Sequence, residues 1–331
     1  MSRLTARGLT LAYEDRTVVH GLDLAVPDGR VTVIIGPNAC GKSTTLRALG
    51  RLLRPRTGAV LLDGAELARI PTRKIARSIG LLPQTPVAPE AITVADLVAR
   101  GRQPHQHWWQ QWSDEDERAV TDAMARTDVT ALADRPVDAL SGGQRQRVWI
   151  AMSLAQETDL LLLDEPTTYL DISHQVEVLD LVRRLNHDRG RTVVAVLHDL
   201  NQAARYADHL IAMKEGRIVA EGRPDDIVTA DLVREVFGLA SVVVPDPVTG
   251  SPLVIPGTPW SPGPAAPHNA VPGGDAPGAE RHHPEETPVP GRSAPEETPR
   301  RGTDPEAPAP EGTPAEGTAP PRDPAGPART T

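Results

Sequence analysis

The chain lacks the features that extracellular and membrane-spanning proteins need. Its 331 residues include a single cysteine, Cys40, which has no partner for an internal disulfide and therefore agrees with a reducing compartment. No apolar run approaches the roughly 18 residues that cross a bilayer as a helix. The N-terminal residues MSRLTARG also lack the apolar stretch of a signal peptide. These absences predict a protein that stays in the cytosol.

An excess of positive charge is missing as well. The chain has 35 Lys and Arg against 44 Asp and Glu, for a net charge of −9. The last 75 residues hold 6 Arg and 11 acidic residues, which leaves 29 basic and 33 acidic side chains before them. This balance provides no positive field of the size that nucleic acid requires, so we expect no nucleic-acid partner.

Large apolar side chains are nearly absent from residues 257–331, which contain no Leu, Ile, Phe, Met or Tyr and hold 19 of the 34 prolines. Fixing about 75 residues costs roughly 75 to 150 kcal/mol of backbone entropy. Trp260, Val271 and Val289 return only about 1.5 to 3 kcal/mol each when fully buried. We therefore predict a disordered, proline-rich tail at 257–331 and a folded domain at 1–256.

The apolar pattern of the folded region predicts an α/β domain. Short alternating segments at 9–13 and 18–24 indicate an antiparallel hairpin near the N-terminus. Continuous apolar runs at 31–35, 160–163 and 192–197 are typical of strands buried on both faces in a parallel sheet.

The middle of the chain changes character. From about 91 to 158 the strand signals vanish, and Thr93 and Ser113 each precede an aspartate by three residues, as at helix starts. This pattern predicts a helical insertion in the α/β domain. Two further hairpins are predicted at 210–221 and 242–255.

A glycine-rich loop follows the first buried strand. Residues 36–43, GPNACGKS, match the phosphate-loop pattern G-x-x-x-x-G-K-[ST] between a strand and a helical run at 44–51. Its amides and the positive end of the helix suit an anion. We predict that Lys42 reaches the β and γ phosphates of a nucleotide and that Ser43 binds Mg²⁺. The other predicted loop contacts are Gly36, Pro37, Asn38, Ala39, Cys40, Gly41 and Thr44.

Two adjacent carboxylates end the strand predicted at 160–163. Side chains alternate along a strand, so Asp164 and Glu165 point in different directions. Asp164 is suited to hold Mg²⁺, and Glu165 to orient or deprotonate a water for attack on the γ phosphate. Such acids are often only a solvated turn, but beside a phosphate loop they indicate a hydrolysis site.

The sequence LSGGQ at 140–144 precedes a helical run at 145–155. Ser141 and Gln144 have the spacing of a capping box, so an ordinary helix start would explain them. Gly142 and Gly143 add bare amides at the positive end of the helix, which suits close approach to a phosphate.

LSGGQ between a phosphate loop and LLLLDEP resembles the ATP-binding subunits of ATP-binding cassette (ABC) transporters, over about residues 4–256. The resemblance implies a P-loop NTPase fold of the α/β class, with an N-terminal antiparallel β subdomain and a helical insertion. It implies adenine stacking for Tyr13 and a switch role in catalysis for His198. It also implies a catalytic, Mg²⁺-binding Q-loop role for Gln84 and a D-loop contact to nucleotide for Asp171. Without the family, Tyr13 and His198 could be ordinary strand or core residues.

The resemblance also implies partners. In this family, two domains sandwich two ATP molecules, each bound by the phosphate loop of one domain and the LSGGQ of the other. This chain has one copy of each motif, so it is expected to form a homodimer at the cytoplasmic face of the membrane. Transmembrane permease subunits would bind it, and an extracytoplasmic substrate-binding protein would act indirectly.

Longer segments resemble importers of ferric siderophores, namely residues 101–120, 144–182, 198–208 and 245–252. The same branch includes importers of cobalamin and haem, and single-cassette ATPases of iron–sulfur cluster assembly are a further alternative. The Trp-rich insertion favours the importer. Nothing in the chain contacts the cargo, so this interpretation is associational.

Two other features allow more than one interpretation. His105, His107, Trp108, Trp109 and Trp112 resemble a metal or haem site, but the matching carboxylates or cysteines are missing, which favours a packed or permease-facing loop. If the phosphate loop is exposed, a thiol reagent should inactivate the protein through its cysteine, and ATP should protect it.

Overall fold

A computed structural model describes residues 2–106, 112–168 and 170–257. The tail predicted at 257–331 lies outside these residues apart from Gly257. None of the described helices combines the length and the apolar character that a bilayer span requires.

The described residues form a mixed α/β structure, as predicted. In chain order the strands are β1 (Leu4–Tyr13), β2 (Arg16–Val26), β3 (Val31–Ile35), β4 (Thr57–Leu62), β5 (Ala65–Glu66), β6 (Ile79–Leu82), β7 (Leu160–Asp164), β8 (Thr192–Val196), β9 (His209–Lys214), β10 (Arg217–Gly222), β11 (Ser241–Pro245) and β12 (Pro252–Pro256). The helices are α1 (Lys42–Leu49), α2 (Thr72–Ala76), α3 (Val94–Ala99), α4 (Asp114–Arg126), α5 (Gly142–Ala155), α6 (Ile172–Arg189), α7 (Leu200–Tyr206), α8 (Pro224–Ile227) and α9 (Ala230–Phe237).

A six-stranded sheet lies at the centre, in the order β10, β9, β3, β8, β7, β6. The strands from β9 to β6 are parallel, and β10 pairs with β9 in the antiparallel direction. Every residue of β3, β7 and β8 is buried, as their continuous apolar runs predicted.

The carboxyl ends of four parallel strands lie side by side. Val196 at the end of β8 pairs with Ile34 of β3 and with Asp164 of β7, and β6 pairs with β7 through Leu82 and Leu163. The loops that leave these ends carry residues 36–43, Gln84, Glu165 and His198. This edge of an α/β sheet is where ligands bind.

A second sheet is antiparallel, in the order β2, β1, β4, β5. It contains the predicted N-terminal hairpin, extended on one side by β4. Because side chains alternate along β3, Ile34 packs with β1, β2, β4 and α1, whereas Val33 packs with α3 to α6. Helix α1 is thus held between the two sheets, with its N-terminus at the loop after β3.

Between β6 and β7 the described residues form helices and no strand, which agrees with the predicted helical insertion. The Thr93 hydroxyl accepts a hydrogen bond from the Asp96 amide (3.1 Å), and Ser113 forms a full capping box with Asp116. Arg102 is 1% exposed and donates to Asp116 (2.8 Å) and to Glu157 (2.6 Å). Arg102 also donates to the carbonyl oxygen of Ala155 (2.9 Å), so this buried side chain ties α4 to the end of α5.

The two later hairpins are present as well. β9 and β10 pair around Glu215 and Gly216, and β11 pairs with β12 in a separate two-stranded sheet. The Asn201 side chain in α7 accepts from the Val254 amide (2.7 Å) and donates to the Val254 carbonyl (3.2 Å), which fixes the last hairpin to the domain.

Candidate active site

An open cleft of about 620 Å³ lies over the carboxyl ends of β3, β6, β7 and β8. It brings together residues that are far apart in sequence, and most of them were predicted. The lining residues are Tyr13, Arg16, Val18, Asn38, Ala39, Cys40, Gly41, Lys42, Ser43, Thr44, Gln84, Glu165, Thr168 and His198. Gly36, Pro37 and Asp164 adjoin this group, whereas residues 141–144 and Asp171 are not among the residues that line it.

The glycines of the loop are required by close approach and by backbone conformation. Gly36 has φ +151°, and a Cβ atom there would collide with the carbonyl oxygen of Met213. Gly41 has φ +106° and caps α1, where a Cβ would lie 3.0 Å from Val19. Because both positions exclude an ordinary side chain, the loop can bend tightly into the start of α1.

The loop lysine is buried inside the bend. Lys42 is 4% exposed, and its ammonium donates to the carbonyl oxygens of Gly36 and Pro37, both at 2.9 Å. A charged amine is therefore fixed under the loop, beside the hydroxyls of Ser43 and Thr44. This arrangement offers a cation and helix N-terminal amides to an anion.

The cysteine of the loop is not exposed. Cys40 is 5% exposed, and burial raises the pKa of its thiol, although the charge of Lys42 acts in the opposite direction. Inactivation by a thiol reagent was expected only if the cysteine of the loop were exposed. Because Cys40 is buried, we instead expect thiol reagents to modify it slowly. The thiolate is the reactive form, and burial restricts both its formation and access to it.

We expect iodoacetamide to alkylate Cys40 more slowly in the native protein than in the urea-unfolded chain. The raised pKa shifts the reactive form to higher pH, so the native rate should reach its midpoint at a higher pH than the unfolded rate. Mass spectrometry of timed samples measures both curves. Coinciding midpoints would contradict the burial of this thiol.

Asp164 at the end of β7 is a buried carboxylate whose oxygens lack hydrogen bonds within the described part of the chain. It is 2% exposed, and neither of its carboxylate oxygens has a hydrogen-bond partner among the described residues. Burial raises the pKa of Asp164, while the nearby Ser43 hydroxyl and the Arg47 guanidinium, 3.8 Å away, act in the opposite direction. Carboxylate oxygens that lack a hydrogen bond, beside a hydroxyl, are the ligands that a hard divalent cation prefers.

Glu165 is held by three side chains. Its Oε2 accepts from the Gln84 amide (2.5 Å) and from the Thr168 hydroxyl (3.2 Å), and its Oε1 lies 2.7 Å from His198 Nε2. The Glu165 backbone has φ +52°, a left-handed conformation that costs an ordinary residue about 1 to 2 kcal/mol. The carboxylate is thus placed in the cleft with a fixed orientation.

Sequence reasoning did not single out Thr168, Arg16 or Val18. For Thr168 the available signal was its spacing from Glu165, because residues three apart in a turn can meet. In the structure the Thr168 amide donates to the Glu165 carbonyl. Arg16 and Val18 reach the cleft only because β2 folds beside the loop, and we find no local signal for them.

Tyr13 lies at the rim of the cleft. Its ring is 42% exposed, and its hydroxyl accepts from Arg47 at 3.4 Å. An exposed ring with one tethered end provides a flat apolar face of the kind on which a base can stack.

The LSGGQ segment forms the start of α5. Ser141 accepts from the Gln144 amide (3.3 Å) and Gln144 returns a bond to the Ser141 amide (3.2 Å), so the predicted capping box is present. Asp171 caps α6 and is hydrogen-bonded to His174 and Ser173, which lowers the pKa of the Asp171 carboxyl to about 2. These residues form a second group, apart from the lining of the cleft.

The histidine and tryptophan segment is only partly described. His105 Nε2 lies 2.9 Å from the carbonyl oxygen of Gln156, and Trp112 is 45% exposed. His107, Trp108 and Trp109 lie outside the described residues. Among the described residues, no group of three or more His, Cys, Asp or Glu side chains could hold a metal ion.

Known proteins share both the sequence and the fold. Residues 19–168 match the family described as ABC transporter. The chain is 56% identical to the ferric enterobactin transport ATP-binding protein FepC of Escherichia coli K12, over 77% of this chain and 94% of FepC. It is 54% identical to the achromobactin transport ATP-binding protein CbrD of Dickeya dadantii 3937, over 77% and 95% respectively.

A solved structure shares the fold. The dimeric structure of the ATP-binding cassette MJ0796, in a post-hydrolysis state bound to ADP and Pi, matches with a TM-score of 0.59 and 26% identity, over 66% of this chain and 98% of that one. The cleft, the capped LSGGQ helix and these matches agree with one another. The chain belongs to the family of ABC transporter ATP-binding proteins.

Proposed function

We propose that this chain is the ATPase subunit that powers import of a ferric siderophore through a membrane permease, to which it binds at the cytoplasmic face. The observation that carries the ATPase chemistry is the Glu165 carboxylate, held by Gln84 and His198 in the same cleft as Lys42. The names of FepC and CbrD support the cargo.

Binding of ATP uses the loop and the rim. The exposed ring of Tyr13 stacks on adenine, and the amides of residues 38–44 surround the phosphates. Lys42 exchanges its bonds to the loop carbonyls for bonds to the β and γ phosphates, because an ammonium interacts more strongly with an anion than with a neutral carbonyl.

Mg²⁺ fits the group formed by Asp164 and the side chains near it. Asp164 would offer two oxygens that lack a hydrogen bond among the described residues, Ser43 a hydroxyl, and Gln84 the amide oxygen that remains while its nitrogen donates to Glu165. When bound, the ion supplies positive charge against the β and γ phosphates.

Hydrolysis depends on the orientation of Glu165. Its carboxylate accepts a proton from a water whose oxygen attacks the γ phosphorus in line, while the bond from that phosphorus to the β,γ-bridging oxygen breaks and ADP leaves. Thr168 and Gln84 hold the oxygen Oε2 in place. His198 contacts the other oxygen and lines the same cleft as Lys42, the residue proposed to bind the γ phosphate. We therefore propose that Gln84, Thr168 and His198 orient the base.

A complete site requires two copies of the chain. The LSGGQ residues and the D-loop aspartate do not line the cleft of their own chain, so they are free to face the nucleotide of a second copy. These residues are Ser141, Gly142, Gly143, Gln144 and Asp171. A dimer is the arrangement recorded for MJ0796. ATP joins the two copies across this gap, and loss of the γ phosphate releases them, which drives the permease.

The cargo is tested by uptake in cells whose only copy carries Glu165→Gln, with Glu235→Gln as control because Glu235 is exposed on α9. Iron-55 supplied as a ferric siderophore is measured in parallel with labelled cobalamin and haem. We expect only iron uptake to be lost, and an extracytoplasmic binding protein would then act upstream of the permease. Loss of cobalamin uptake alone, or of haem uptake alone, would show that this compound and not a ferric siderophore is the cargo. Normal uptake of all three would favour a soluble ATPase of iron–sulfur cluster assembly.

We also propose that residues 1–256 suffice for ATP hydrolysis. The described elements end at Pro256, and the cleft is lined by residues 13–198. Truncation after Pro256 should therefore leave kcat and the KM for ATP unchanged. Steady-state hydrolysis by the full and truncated chains measures this, and a loss of turnover would assign the tail a role in the ATPase.

A further inference from the structure

The D-loop aspartate and the LSGGQ helix are joined through a residue that the proposed mechanism does not use. His174 lies in the first turn of α6, and its Nδ1 is 2.6 Å from Asp171 Oδ1. Asp171 also accepts from the His174 amide (3.0 Å). Because the carboxyl pKa is about 2, Asp171 is ionised at neutral pH and can only accept, so His174 Nδ1 carries the proton.

The other edge of the ring lies against the LSGGQ helix. A Cβ atom on Gly143 would collide with His174 Cδ2 and would lie 2.7 Å from Cγ and 3.0 Å from Nε2. The imidazole therefore occupies the space that a side chain at 143 would take. Close approach, rather than a positive φ, is what requires glycine at this position.

Asp171 fixes the direction of the ring, and the ring fixes Gly143. The next residues of α5 are held by the Ser141 and Gln144 capping box, so the contact acts on the segment whose amides would face a phosphate. The Arg147–Glu177 ion pair (3.2 Å) joins α5 to α6 one turn further along, whereas the His174 ring contacts the LSGGQ turn itself. A small displacement of the ring would therefore shift the LSGGQ amides relative to the D-loop.

We propose that His174 is a positioning residue that sets the LSGGQ amides against the D-loop, acting through its contact with Gly143. This inference rests on the proposed function, because it assumes that both elements face the ATP of a second copy. His174 is not among the residues that line the cleft of its own chain. Its effect should therefore fall on dimer closure and turnover, and not on ATP binding by one chain.

The test compares His174→Ala and His174→Asn with His187→Ala, a change to an exposed histidine on the same helix. For His174→Ala we expect kcat to fall about tenfold while the affinity of the dilute monomer for a fluorescent ATP analogue stays within about twofold. Asn keeps a donor for Asp171 and an atom near Gly143, so His174→Asn should recover most of the lost turnover. His187→Ala should match the wild type in both measurements.

A double-mutant cycle isolates the contact. Gly143→Ala places a methyl against the ring in the wild type, whereas in His174→Ala that collision is absent. The additional loss of turnover caused by Gly143→Ala should therefore be smaller in the His174→Ala background. Equal losses in the two backgrounds would show that the ring does not act through Gly143, and would overturn the proposal even if one single variant folds poorly.

Sedimentation with ATP tests the role of His174 separately from the formation of the ATP-bound dimer. In a Glu165→Gln background, His174→Ala should raise the dimer dissociation constant about tenfold, while His187→Ala should not change it. A Glu165→Gln protein that stays monomeric with ATP contradicts the proposed dimer itself. A dimer that forms with ATP and is unaffected by His174→Ala contradicts only the role of His174.

Discussion

Glu165→Gln should lower the steady-state rate of ATP hydrolysis by about 10² to 10⁴-fold while leaving ATP binding intact. Glutamine preserves the size of the side chain and one oxygen acceptor, but it cannot take a proton from water. The surrounding contacts of Gln84, Thr168 and His198 position the group without supplying another carboxylate at the same place. Phosphate release at saturating ATP measures the rate.

The control for this prediction is Glu235→Gln, which removes a carboxylate from the exposed side of α9. Its turnover should equal that of the wild type. If Glu165→Gln hydrolyses ATP at more than a tenth of the wild-type rate, Glu165 is not the base, and Asp164 would be the nearest remaining carboxylate. Binding of a fluorescent ATP analogue by the variant excludes a loss that arises from unfolding.

Lys42→Ala should weaken ATP binding and reduce turnover by about 10² to 10³-fold. The substitution removes the ammonium that is buried under the loop and leaves the carbonyls of Gly36 and Pro37 without their donor. Both effects act at the phosphates, one by loss of charge and one by relaxation of the loop. Titration with ATP and steady-state kinetics separate affinity from turnover.

Lys214→Ala is the matched control, because Lys214 also donates to a backbone carbonyl, that of Glu235 at 2.7 Å, but lies outside the cleft. Its kinetics should not change. Melting temperatures of both variants show how much stability each lysine bond provides. Wild-type affinity for ATP in Lys42→Ala would exclude the assigned phosphate contact.

Local patterns predicted the part of the fold that contains the site. The run at Val31–Ile35 is a fully buried strand because its five residues are apolar or β-branched and face packed layers on both sides. The caps at Thr93, Ser113 and Ser141 were readable because a capping side chain bonds to an amide only three residues away. Such signals depend on neighbours in sequence.

Elements that depend on distant partners were not predicted. β6, with the sequence IGLL, is short and contains a glycine, and its strand conformation comes from pairing with β7. β4 carries small residues and is stabilised by β1. The contact between Gly143 and His174 likewise arises from the packing of α5 against α6, and no sequence spacing reveals it.

In the proposed dimer, the phosphate loop of one copy and the LSGGQ of another bind the same ATP. Sedimentation of Glu165→Gln with saturating Mg²⁺-ATP tests it most directly, beside the same protein carrying Ser141→Arg, which blocks the start of α5 without touching the cleft. We expect an ATP-dependent dimer for Glu165→Gln, and an ATP-bound monomer when Ser141→Arg is added. A Glu165→Gln protein that binds ATP and remains monomeric at every concentration would contradict it.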